Sequence, residues 1–196
     1  MRSVKENYKK INSFFEFKFQ KRNFLLNEFS THNINEVAKG SVHIIVEDRD
    51  CDDLWEVNES IFKIIECASK EKRPVLFKTF SNIFCELADN AIKFNNNKKG
   101  YAKLSIKLYS KYILFEMKNE VNNEMQTNLE RFICNYKQND LNKNFLDTIQ
   151  SNYENRKEAS GIGLISLKLN YNLLFRIELI KNKDKVFISV EAKYNL

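Results

Sequence analysis

"FCELADNAIKF", residues 84–94, decides the fold. On a helix turning about 100° per residue, Glu86, Asn90 and Lys93 fall within roughly 60° of one another. Leu76, Phe80, Ile83, Leu87 and Ala91 cluster about 100° further round. The polar stripe therefore flanks the apolar one instead of opposing it, as a site at the edge of a core requires. A carboxylate and an amide oxygen one turn apart can orient a water and a hard cation such as Mg²⁺, and a lysine further along can meet phosphate charge. The alternative is a solvated helix edge, which E-x-x-x-N by itself fits equally well.

Outward from this segment, Pro74 suits the first turn of a helix over residues 75–94, where its missing N–H has no partner to lose. Upstream, Leu54, Val57, Ile61, Ile64, Ile65 and Ala68 predict a helix over 54–69. Downstream, "AKLSIKLYS" and "KYILFEMKNEV" alternate as an antiparallel hairpin around Ser110 and Lys111. Residues 122–158 are polar, partly helical and poor in β-branched side chains, which predicts a mobile insertion. "LLFRIELI", a turn at "KNKDK" and "VFISVEAKY" close the chain as a second hairpin. Near the start, Phe15, Phe17 and Phe19 predict a strand within 12–26, "NEFSTHNINEVAKG" a short helix ending at Gly40, and "SVHIIVED" a buried strand. His43 within that strand reads as a core histidine, since no ligand stands at motif spacing from it.

The expected fold is α+β: a two-layer sandwich with a largely antiparallel, mixed sheet and helices on one face. Residues 74–196 form its core, and residues 1–73 a β/α extension on the same domain that covers the sheet or mediates homodimerisation.

The chain has four glycines, and two of them, Gly161 and Gly163, stand together in "EASGIGLISLKL" ahead of Leu164, Leu167 and Leu169. Glycine permits close backbone approach, and the N-terminus of a following helix offers free N–H groups to an anion. An ordinary tight turn before a helix reads the same way.

Taken together and in order, "ELADNAIKF" resembles the N-box and "ASGIGLISL" the later glycine box of the GHKL superfamily, the ATP-binding fold of histidine-kinase catalytic domains and anti-sigma-factor serine kinases. The hairpin, the loose stretch and the closing hairpin fall in the order of that fold, and the resemblance covers residues 74–196. Among its members the stand-alone bacterial regulatory kinases of the anti-sigma and SiaB-like types are the most similar. The resemblance implies that Glu86 polarises the attacking group, that Asn90 helps hold Mg²⁺, that Lys93 lies near phosphate, and that Gly161 and Gly163 flank the lid beside the phosphates. It implies ATP and Mg²⁺ as cofactors, a small regulatory protein as partner, and transfer to a serine or threonine of that partner. One position departs from the pattern. Where the superfamily has D-x-G-x-G, this chain reads "MKNEVNNEM", with Asn119 the nearest candidate for the adenine amino group and no glycine after it. An asparagine oxygen accepts without charge. A GHKL-fold adaptor that works by protein contact, without nucleotide, is the alternative.

Composition limits the remaining classes. Hydrophobic residues make up 43% and charged residues 30%, no apolar run nears the roughly 20 residues of a membrane span, and the basic start "MRSVKENYKKINSFF" lacks an apolar signal core. A cytoplasmic protein is expected. The net charge of +6 is spread among acids, so nucleic-acid binding through "KKINSFFEFKFQKRNF" has little support. Cys51, Cys67, Cys85 and Cys134 have no C-x-x-C spacing, which disfavours zinc or a disulfide framework. His32 in "STHNINE" lacks the acid and proline that follow a phosphoacceptor histidine.

Overall fold

The alternation read in the two hairpins builds an open sheet of six strands. In the computed structural model, residues 21–29, 36–46, 53–69, 74–94, 102–138, 140–154, 162–182 and 185–196 are described. The strands are β1 (Lys21–Asn27), β2 (Gly40–Val46), β3 (Ala102–Leu108), β4 (Tyr112–Val121), β5 (Leu174–Asn182) and β6 (Lys185–Asn195). Their order is β1-β5-β6-β4-β3-β2, and every one of these pairings is antiparallel. The α+β fold class read from the sequence is the one observed.

One face of the sheet is the core face because its side chains alternate as the pleat demands. Leu104, Ile106 and Leu108 of β3, Ile113, Phe115 and Met117 of β4, Ile188, Val190 and Ala192 of β6, and Phe175, Ile177 and Leu179 of β5 all enter one apolar cluster. Two helices lie on that face, α1 (Asp53–Ser69) and α2 (Pro74–Lys93). Leu76, Phe80, Ile83, Leu87 and Ala91, the stripe predicted for α2, are all buried. Phe62 of α1, Phe80 of α2 and Phe115 of β4 stand in sequence, with ring centroids 5.5 and 5.3 Å apart, and so tie helix to helix to sheet. One polar pair fixes the α1–α2 interface. The buried Asn58 side chain donates to Ser81 Oγ at 2.9 Å.

Three expectations need correction. Residues 122–138 and 140–154, the described part of the expected loose insertion, are regular structure. They form α3 (Asn123–Gln138) and α4 (Leu141–Glu154), and Ile133 and Tyr136 are buried, with Met125, Leu129 and Phe132 packed on the core. The polar faces that suggested mobility are the outer faces of amphipathic helices. The strand "SVHIIVED" is an edge, and His43 points to the face opposite α1 and α2, where it is exposed. Strands with mainly apolar composition do serve at edges when their outward positions are polar, as Ser41 and His43 are here. No helix reaches Gly40. Residues 36–39 are irregular and Gly40 opens β2, so pairing of Gly40 with Leu108 of β3 overrides the local helical composition of "EVAK". The strand expected over 12–26 is described only as β1, from Lys21, and its Phe15, Phe17 and Phe19 lie outside the described residues, as do His32 and Cys51.

Helix α5 (Gly163–Tyr171) returns the chain to β5. It stops at Asn172, whose left-handed backbone (φ 50°) suits asparagine and whose N–H bonds to the Lys168 carbonyl. Leu164 and Leu167 of the expected apolar positions pack on the core, Ile165 is buried beside them in sequence, and Leu169 is exposed.

Candidate functional site

The two motifs that stand about seventy residues apart in sequence touch in space. A Cβ added to Gly163 would lie 1.5 Å from Glu86 Oε1 and 2.2 Å from its carboxyl carbon. Only a residue without a side chain lets the start of α5 sit on the Glu86 carboxyl while that carboxyl keeps its place. Asn82, one turn before Glu86 on α2, donates to the Tyr171 hydroxyl, so α5 is fastened to α2 at both of its ends.

Glu86 is half-buried. Asn90, one turn on, donates from its side-chain nitrogen to the Glu86 carbonyl at 2.7 Å and to Glu86 Oε1 at 3.0 Å. That pair of hydrogen bonds orients the amide and uses its nitrogen, which leaves Oδ1 as the acceptor of the Asn90 side chain. Burial pushes the Glu86 carboxyl above its ordinary value. The Asn90 hydrogen bond and Lys93 pull it down and Asp89 pushes it up, and the net shift is upward. Lys93 is exposed and close enough to act on this carboxyl through its charge.

Asn119 is fully buried on β4 and points to the core face. Its side-chain nitrogen donates to the Phe94 carbonyl, at the end of α2, at 2.6 Å. The Phe94 N–H in turn bonds to the Asn90 carbonyl at 3.0 Å. The last turn of α2 thus links Asn90 to Asn119. The other polar side-chain atom of Asn119, Oδ1, is buried without a hydrogen-bond partner among the described residues, which costs about 1–3 kcal/mol.

Among the described residues the N-terminus of α5 has no side-chain cap, and its first internal hydrogen bond runs from Ser166 N–H to the Ile162 carbonyl at 2.8 Å. The amides before Ser166 have no partner within the helix, and they begin where Gly163 meets Glu86. Gly161, the other glycine expected here, lies outside the described residues. Glu86, Asn90 and Gly163 are therefore assembled at one place, Asn119 joins them through the end of α2, and Lys93 stands at the rim.

One group near this assembly had no sequence signature. Glu28, just past β1, accepts from Lys168 Nζ of α5 at 3.0 and 3.1 Å, from the Tyr136 hydroxyl of α3 at 3.0 Å, and from the Phe175 N–H of β5 at 2.8 Å. Its partners lie more than a hundred residues away, and no local spacing could have indicated them. Burial and then Glu28 push the Tyr136 hydroxyl well above its ordinary range.

The class defined by these observations is an α+β two-layer fold with a polar, glycine-bordered cluster at one end of its central helix. The same fold is found in a chain of the crystal structure of the SiaB-SiaC complex from Pseudomonas aeruginosa, with a TM-score of 0.57, 13% identity, and 78% of this chain and 89% of that chain covered. At that identity the likeness is one of fold. No family model matches the sequence, and no curated protein matches it either. No helix among the described residues is long and apolar enough to cross a membrane.

Proposed function

We propose that the chain is a regulatory protein of the GHKL type that binds Mg-ATP at the α2–α5 junction and phosphorylates a serine or threonine of a small protein partner. The observation that carries this reading is the contact between Gly163 and Glu86, because it joins the two stretches that resemble the N-box and the glycine box. The shared fold with a chain of the SiaB-SiaC complex supports a signalling role through a protein partner.

The residues fit the cofactor on two counts. The uncapped start of α5 offers amides to phosphate oxygens. Asn90 Oδ1 is an oxygen ligand of the kind Mg²⁺ takes. The nucleotide, when bound, supplies the transferable phosphoryl group. Glu86 accepts the proton of the attacking hydroxyl, and its raised proton affinity brings it nearer to the working range of a general base. Asn90 holds that carboxyl in one orientation, and Lys93 offsets negative charge at the rim.

Calorimetry with Mg-ATP tests the reading. The native chain should bind, and Asn90→Ala should lose most of that affinity. Equal binding by the variant would remove Asn90 from the metal. A second reading, a nucleotide-independent adaptor, is favoured by the complete burial of Asn119, and it expects no heat at millimolar nucleotide.

A further inference from the structure

The face of the sheet turned away from α1 and α2 carries a second polar assembly, unrelated to the α2–α5 junction. In direct register across five strands stand His43, Ser105, Glu116, Glu191 and Arg176. Next to this row, over β2, β3 and β4, is a concavity of about 130 Å³ lined by His43, Lys103, Ser105, Lys107, Glu116 and Lys118.

The charges of this concavity do not balance. Three lysines face one glutamate. Glu116 takes two of them, Lys118 at 2.5 Å and Lys107 at 3.6 Å. Burial raises the Glu116 carboxyl, but Lys118 and then Lys107 outweigh it and hold it below its ordinary value. Lys103 has no anionic partner among the described residues, and its register partner on β4 is Lys118, another cation. Like charges directly opposite on adjacent strands destabilise a sheet. His43, an exposed residue whose ring is partly covered where Nδ1 bonds to Ser105 Oγ at 2.8 Å, is held below its ordinary proton affinity by that partial desolvation, Lys103 and Lys107, against the pull of Glu116. The local field is therefore positive, with a surplus of two charges that nothing else in the lining offsets.

We propose that this concavity is a binding site for an oxyanion of the phosphate class, with Lys103, Lys107 and Lys118 as its cationic ligands and Ser105 and His43 as hydrogen-bonding groups. A dianion matches the surplus of two, and it turns the Lys103–Lys118 opposition from a cost into a shared attachment. The anion is free phosphate or a phosphoryl group carried on a partner's side chain. Either presents the same oxygens to the same lysines.

The test is a titration of the isotope-labelled full chain at constant ionic strength, followed by amide NMR, with inorganic phosphate in one arm and N-acetyl-phosphoserine amide in the other. The native chain should show saturable shifts confined to β2, β3 and β4, and Lys103→Gln should weaken the binding about tenfold. Without anion, Lys103→Gln should melt no lower than the native chain, because it removes a like-charge pair, so a loss of binding cannot be blamed on misfolding. Saturation by inorganic phosphate identifies a free-anion site. Saturation by the phosphoserine probe alone identifies a protein-borne group. Shifts that track ionic strength in both arms, or affinity unchanged in Lys103→Gln, would overturn the proposal.

Discussion

Gly163 meets Glu86 so closely that the two positions determine each other: the carboxyl keeps its place because position 163 has no side chain. Gly163→Ala should therefore turn the carboxyl out of the Asn90 hydrogen bond at a cost of about 0.5–1.5 kcal/mol, the worth of that bond, because the clashing atoms are the end of a flexible, half-buried side chain. In a Glu86→Ala background the same substitution should be nearly free. Denaturant unfolding of the four members of the cycle checks this, and a cost that is equal in both backgrounds would refute the steric link.

Asn119→Asp would place there the acid of the GHKL pattern that the sequence resembles, yet the hydrogen bonding of Asn119 opposes it. The Asn119 amide donates to the Phe94 carbonyl, and an ionised carboxylate cannot. The substitution should cost about 1–3 kcal/mol at neutral pH. The new acid should regain that bond when protonated, so the deficit should shrink as the pH falls. Melting temperatures across an acid series would show it, and a deficit that does not change with pH would contradict it.

Glu86 has a folded-state proton affinity above its unfolded one. Between the two values the folded state binds more protons, so this group's contribution to stability is complete below the ordinary glutamate value and is lost as pH rises through the folded one. Glu86→Gln should flatten that part of the stability profile and gain relative to the native chain toward neutral pH. Unfolding curves at matched pH, with an unchanged slope in the variant as the contrary outcome, decide it.

Tyr136→Phe should lower stability by about 0.5–1.5 kcal/mol, the worth of one hydrogen bond. Glu28→Ala should cost more, because it strands Tyr136, Lys168 and the Phe175 amide together. If Glu28 is the common acceptor, Tyr136→Phe should have little further effect once Glu28 is gone.

The elements with a strong period were legible in the sequence. The α2 stripe from Leu76 to Ala91 is buried as spaced, and both hairpins fall where their alternation put them. Glu86, Asn90 and Lys93 share a face because helix geometry alone requires it. Contacts set by tertiary packing were not legible. The approach of Gly163 to Glu86 depends on how α5 lies on α2, and the Glu28 cluster depends on strand order. His43 was misread because a short apolar run has the same composition in a central strand as at an edge. The helices α3 and α4 were misread because their polar residues, counted without regard to face, resemble a loop.

Glu28 stands one residue beyond an outermost strand, and edge strands are the part of a sheet most readily unzipped. Peeling β1 from β5 would withdraw a single carboxylate and with it one polar tie each to α3, α5 and the start of β5. The helix that opens at Gly163 is thus moored twice over, to α2 at its two ends and to the rim of the sheet through Lys168.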